Sequence, residues 1–170
     1  MNKTFWFLLV LLHITISGYS QEVKNVFFGS KFGSSIIEVK HNLNDLGLSY
    51  RIQDNGYLLS DIDFAGKKWN SCLFYFENST FLAIHFYDHF SGRGSKEDSE
   101  AFYKDIVFAL RIKYPISLYY YCDIIGCSYQ DLMGNKVVFE LTEQSPTDCN
   151  LNLSFYSRAF LDSFRKSTDL

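Results

Sequence analysis

The chain has 170 residues, of which 16 are Lys or Arg and 19 are Asp or Glu, so its net charge is −3 at pH 7. This mildly acidic balance argues against nucleic acid as a partner, because neutralising phosphates requires a basic surface. The 17 Phe and 12 Tyr residues favour a strand-rich domain with aromatic packing.

Residues 1–20 have the pattern of a secretory signal peptide. Lys3 provides a positive charge, an apolar segment runs from Phe5 to Ile16, and Gly18 and Ser20 are small residues of the kind that a signal peptidase recognises. The apolar segment is too short to predict a helix that spans a bilayer, although a retained N-terminal anchor is the alternative. We therefore expect an exported protein, periplasmic or secreted.

Cleavage before Gln21 would leave residues 21–170 as one domain with no transmembrane span, long enough to bury a sizeable core. The Ser20-Gln21 junction resembles those of exported Bacteroidetes proteins.

The first secure element is a helix that begins after Ser35. Ser35 and Glu38 form an S-x-x-E capping box, and Gly47 stands where a helix C-cap is expected. Between them, apolar residues recur at helical spacing, at Ile36, Val39, Leu43 and Leu46. The apolar period then changes to two, which predicts a four-stranded meander over Leu48–Gln53, Tyr57–Ala65, Lys68–Glu77 and Thr80–Asp88.

A second helix and a second set of strands follow. The helix is predicted over Lys96–Tyr114, with Ser95 or Ser99 as its cap and Pro115 as its stop. Four further strands are predicted at Ile116–Cys122, Cys127–Leu132, Val137–Thr142 and Thr147–Tyr156, before a short C-terminal helix over Ser157–Lys166.

The two halves correspond in the order of their elements. Gly66 in the first half matches Gly134 in the second, and Phe86-Tyr87 matches Phe155-Tyr156. The expected fold is α+β, with two helices packed on a mainly antiparallel meander sheet. A tandem repeat over residues 34–89 and 96–157 is the favoured interpretation, and a single long meander with two helices on one face is the alternative.

A helix-plus-meander unit used twice resembles the β-lactamase-inhibitor-protein-like architecture. The resemblance covers the exported chain in outline, and no motif carries functional residues across. It implies an exported protein that holds another protein on the face of its sheet.

All four cysteines, Cys72, Cys122, Cys127 and Cys149, lie in the exported part. An oxidising compartment would permit two disulfides, for example Cys122–Cys127 with Cys72–Cys149. The alternative is four buried thiols that behave as small hydrophobic groups. Their irregular spacing, with no His close to a Cys pair, does not favour a zinc site.

Two clusters of ionisable residues are candidate sites. His85 and His89 would share one side of a strand at a separation of about 13 Å, too far apart to bind one metal ion alone. Asp61 and Asp63 alternate with apolar residues, which is typical of a solvated strand face rather than of a catalytic pair.

The remaining candidates are aromatic side chains that could lie on an exposed sheet face and contact a partner. They are Trp69, Tyr75, Tyr119, Tyr120 and Tyr121. The sequence has no cofactor motif and no nucleophile elbow. We therefore expect a non-catalytic binding or envelope-interaction protein whose partner is another envelope or secreted protein. The alternative is a small hydrolase or ligand carrier that uses the sheet concavity.

Overall fold

The computed structural model describes residues 21–168, with side chains described as far as residue 165. The predicted signal peptide, residues 1–20, lies outside the described residues. Within them, no helix combines the length and apolar character needed to cross a membrane.

Helix α1 begins where the capping box predicts. Ser35 has extended backbone angles, and its Oγ accepts a hydrogen bond of 3.2 Å from the Glu38 N–H. Val39 and Leu43 are buried on the inner side of the helix. The helix spans Ile36–Asp45, and a small hairpin precedes it, formed by β1 (Val26–Phe27) and β2 (Ser30–Lys31).

The remaining strands form one antiparallel sheet, which confirms the predicted α+β class. They are β3 (Arg51–Gln53), β4 (Gly56–Phe64), β5 (Lys67–Glu77), β6 (Thr80–Ser91), β7 (Ser117–Tyr121), β8 (Ile124–Gln130), β9 (Lys136–Ser145) and β10 (Asp148–Tyr156). Their order across the sheet is β3-β4-β5-β6-β10-β9-β8-β7. Each run of four strands is a meander, and the last strands of the two meanders, β6 and β10, pair at the centre.

Helix α2 (Ser95–Lys113) connects the two meanders, and α3 (Arg158–Thr168) ends the described chain. The sequence predicts both within two or three residues at each end. Helix α2 packs on β6, β9 and β10, where Tyr103 stacks on Phe139 with ring centroids 5.0 Å apart. Phe27, from the N-terminal hairpin, packs on Phe155 of the same face. We call this side of the sheet the helix-covered face, and it contains the core.

The opposite side of the sheet carries mostly polar side chains, and we call it the polar face. Strand alternation and register place His85, Tyr87 and His89 of β6 on it, opposite Ser154, Asn152 and Asn150 of β10. Only α3 covers part of this face among the described helices, through Phe160, which stacks on Tyr156 at 5.1 Å and meets Tyr75 edge-on.

The four cysteines are all free, so the predicted disulfide pairing is not formed. Cys72 of β5 is paired with Phe86 of β6, and Phe86 is paired with Leu153 of β10. Cys149 lies four residues before Leu153 on β10. At about 3.3 Å per residue this is a separation of about 13 Å, well beyond the reach of a disulfide. Strand register separates Cys122 from Cys127 in the same way. The alternative of buried thiols holds for three of them, whereas Cys122 is exposed.

Candidate functional site

Trp69 does not lie on an exposed sheet face, so that part of the prediction is wrong. Its side chain is 0% exposed and lies in the core. The indole Nε1–H donates to the Phe64 carbonyl oxygen at 3.1 Å, and the ring meets Phe102 and Phe139 edge-on. The buried polar end of the indole is therefore satisfied within the domain, as a buried Trp requires.

The four predicted tyrosines do not form a single cluster. Tyr75 lies on the polar face, half-buried beneath Phe160. Tyr119 and Tyr121 also point to the polar face, while Tyr120, between them, points to the other side of the sheet. Tyr120 and Tyr121 are exposed, and Tyr119 is half-buried.

At one end of the polar face, a hydrogen-bonded row links the two central strands. The Asn150 Oδ1 accepts from the Tyr87 hydroxyl at 2.6 Å and lies 2.8 Å from the His89 Nδ1. The same nitrogen of His89 is 3.6 Å from a carboxylate oxygen of Asp148. Burial, reinforced by the Asp148 and Asp88 carboxylates, raises the pKa of Tyr87. The two hydrogen bonds hold Tyr87, Asn150 and His89 in place relative to one another.

A second polar contact crosses the centre of the sheet. The His85 Nδ1 lies 2.9 Å from the Ser154 Oγ, between directly paired residues of β6 and β10. The ring of Tyr156 meets the His85 imidazole edge-on at 5.4 Å. Burial lowers the pKa of His85 to about 4, so its ring is neutral at physiological pH.

Tyr119 lies flat across a glycine to reach the third strand of the second meander. Tyr119, Gly126 and Glu140 are aligned on β7, β8 and β9, and the Tyr119 hydroxyl donates to the Glu140 Oε1 at 2.5 Å. A Cβ on Gly126 would lie 2.3 Å from the tyrosine ring. The absence of a side chain at Gly126 therefore creates the space that Tyr119 occupies. Burial, with the hydrogen bond to Glu140, raises the pKa of Tyr119.

We expect Gly126→Ala to displace the Tyr119 ring and to lower the free energy of unfolding by about 1–3 kcal/mol, the usual cost of overpacking. Urea unfolding measures the loss. In a Tyr119→Ala background the same substitution meets no ring, so its cost should disappear there. An equal cost in both backgrounds would contradict this role of Gly126.

Helix α3 forms one wall of a groove of about 660 Å³ on the polar face. The helix wall is mostly apolar but includes Arg165, and the sheet floor carries polar and charged groups. The apolar wall residues are Phe160, Leu161 and Phe164, and the floor includes His85, Tyr119, Gln130, Lys136 and Glu140. The volume is within the range of small-molecule sites, and the groove is open to solvent.

The two ionisable clusters are placed as the sequence predicts. His85 and His89 lie on the same face, four residues apart along one strand, and Asp88 points to the opposite side. Asp61 and Asp63 are both exposed. Among residues 21–168, the structure has no group of three or more His, Cys, Asp or Glu that could hold a metal ion.

Asp88 is a carboxyl group whose burial the sequence does not predict. It lies on the helix-covered face, where burial raises its pKa and the His89 backbone N–H, donating at 3.0 Å, partly compensates. Its position on an otherwise apolar side of a strand is visible in the sequence, but its burial depends on the packing of the two meanders.

Comparisons with known proteins give no relative for this chain. No family model matches it, and neither a curated protein nor a solved structure is significantly similar.

Proposed function

We propose that this is an exported, non-catalytic binding protein that holds another exported protein on its polar face. The observation that carries the proposal is the array of polar side chains that are hydrogen-bonded across β6 and β10, with Tyr87, Asn150 and His89 at its centre. Tyrosine and asparagine are enriched in binding surfaces, because they combine contact area with adaptable hydrogen bonding. Cross-strand hydrogen bonds fix these side chains before a partner arrives, which lowers the entropic cost of binding.

The chemistry of the face indicates what kind of partner it fits. Its donors and acceptors are mostly uncharged, and charged groups of both signs, such as Lys136 and Glu140, are interspersed. A polar loop or turn of a folded protein would match such a surface, whereas a strongly charged polymer would find no complementary field.

Hydrolysis by Ser154 is disfavoured because His85 is too weak a base to activate it. A serine nucleophile requires a base that is poised near neutral pH, and His85 has a pKa of about 4. Ser154 is buried in the middle of a strand, and within the described chain no carboxylate is hydrogen-bonded to the His85 ring. The His85–Ser154 pair is better explained as a contact that joins the two halves of the sheet.

We also propose that the chain arose by duplication of a helix-plus-meander unit, over about residues 34–89 and 96–157. The order of elements supports this, because a helix precedes each four-stranded meander and the final strands β6 and β10 pair antiparallel. The same arrangement supports the resemblance to the β-lactamase-inhibitor-protein-like architecture, and with it the use of a sheet face for binding.

A ligand carrier is the second candidate, and the groove beside α3 favours it. A molecule with an apolar part against Phe160 and Leu161 and a polar part toward Lys136 or Glu140 would fit that lining. Native mass spectrometry of the purified protein distinguishes the candidates, because a carrier should retain a bound ligand that adds to the mass of the chain.

The substitution Asn152→Arg tests the binding face. Asn152 lies between Tyr87 and Glu140, half-buried at the centre of the face, and the added guanidinium can pair with Glu140 so that folding is preserved. We expect the variant to bind its partner at least about tenfold more weakly, as central interface positions do. The partner is captured from the envelope fraction, purified, and titrated by calorimetry.

The matched control is Ile112→Arg, which places the same charge on an exposed position of α2, away from the polar face. Its affinity should equal that of the unmodified protein. Equal affinity of the Asn152→Arg variant, or an equal loss in both variants, would rule out the polar face as the binding surface.

A further inference from the structure

The outer edge of β7 carries backbone groups that are free to pair with another strand. Within residues 21–168, β8 is the only strand that pairs with β7. The strand has the sequence Ser117-Leu-Tyr-Tyr-Tyr121, and four of its five residues are exposed. Large apolar and aromatic side chains therefore lie in solvent on a strand that is paired on one side only.

Edge strands in monomeric proteins usually carry a feature that prevents pairing, such as a charge, a proline, a bulge or a very short length. The other edge of this sheet has such features, because β3 is only three residues long and begins with Arg51. Strand β7 has no charged residue and no proline, and its register with β8 has no bulge. The β3 edge of the sheet is therefore protected against pairing with another strand, and the β7 edge is not.

The hairpin geometry determines which backbone groups point outward. Tyr121 and Ile124 pair across the two-residue turn that joins β7 to β8, so Tyr121 directs its backbone groups toward β8. Because this direction alternates along a strand, Tyr119 also points inward, while Leu118 and Tyr120 present their N–H and C=O groups to the outside.

We propose that β7 pairs with β7 of a second copy of this chain. An antiparallel arrangement with its two-fold axis at Tyr119 places Leu118 of each copy opposite Tyr120 of the other. The outward N–H and C=O groups of these two residues then form four hydrogen bonds, and the two sheets become continuous. This proposal is independent of the partner that the polar face binds.

Several features select a second copy as the occupant. The pairing is self-complementary, as a two-fold interface requires, and it brings no like charges together because β7 carries none. An apolar side chain, Leu118, meets an aromatic one, Tyr120, which is a favourable cross-strand pair. A contact along five residues is small, so the dimer should be reversible, with a dissociation constant on the order of micromolar.

Sedimentation velocity of the purified protein over a range of concentrations tests the proposal. We expect the unmodified protein to shift from monomer to dimer as its concentration rises. Tyr120→Lys should weaken the dimer at least about tenfold, because a lysine on an edge strand opposes pairing. Tyr120 is 75% exposed, so its replacement should leave the domain folded.

The matched control is Ile52→Lys, which places the same residue at an 80% exposed position on the opposite edge strand, β3. It should dimerise as the unmodified protein does. The proposal is overturned if the unmodified protein stays monomeric throughout, including the case in which β7 pairs only with a different protein. It is equally overturned if Tyr120→Lys has no effect or Ile52→Lys has the same effect.

Discussion

Replacing Trp69 with alanine is expected to lower the free energy of unfolding by about 3–5 kcal/mol, the usual cost of removing a large buried aromatic side chain. Trp69 is fully buried and meets Phe86, Phe102 and Phe139, so the cavity would lie between the sheet and α2. Such a loss is a large part of the stability of an ordinary domain. Urea unfolding followed by circular dichroism measures it.

Two further variants show whether the loss comes from the core. Trp69→Phe keeps much of the aromatic contact but removes the hydrogen bond from the indole N–H to the Phe64 carbonyl, so its cost should be smaller, about 1–2 kcal/mol. Tyr121→Ala removes an exposed aromatic side chain and should cost no more than about 0.5 kcal/mol. If Trp69→Ala were as mild as Tyr121→Ala, the placement of Trp69 in the core would be wrong.

Local signals in the sequence predict most of the secondary structure. The capping box at Ser35 and Glu38 predicts the start of α1 because both partners of the capping interaction lie within four residues. Proline at position 115 and the change of apolar period predict the end of α2 and the strands that follow. These features depend on neighbours in the chain, which the sequence displays directly.

Strand irregularities change which face of the sheet a side chain lies on, and the sequence does not display them. Regular alternation would place Trp69 and Ser71 on the same side, yet Trp69 is in the core, and the paired register of β5 with β6 begins only at Ser71. On β4, Asp61 has a φ of +54° and is skipped in the register with β5. A period-two pattern does not reveal such local breaks, so alternation alone does not place Trp69 in the core.

The candidate site depends on contacts that are distant in sequence. His85 meets Ser154, and Tyr87 meets Asn150, because β6 and β10 are the last strands of separate meanders and become neighbours only in the folded sheet. The sequence indicates that both segments are strands with similar endings, but it does not specify which edges join. Burial of His85 follows from that pairing and from α3, so its altered pKa could not be predicted either.

The stability of the protein should fall by about 2–3 kcal/mol as the pH is lowered from about 6.5 to about 4, through the protonation of His85. Burial lowers the pKa of His85 to about 4 in the folded protein, whereas the unfolded chain has the ordinary value of 6.5. Between these values the unfolded state binds more protons, so the free energy of unfolding rises with pH. The full contribution of His85 to the free energy of unfolding is therefore present above about pH 6.5. Urea unfolding at several pH values measures it.

The contribution of His85 is separated from that of other groups by comparing variants. Asp88, whose raised pKa acts in the opposite direction at acidic pH, is present in every variant and cancels from the comparison. His85→Gln keeps a polar side chain near Ser154 but cannot be protonated, so the pH dependence between 4 and 6.5 should become flatter. Gln53→Asn changes an exposed side chain that does not titrate and should leave the slope unchanged. Parallel slopes for the His85→Gln variant and the unmodified protein would mean that His85 titrates normally, and the case against a catalytic His85–Ser154 pair would lose its main support.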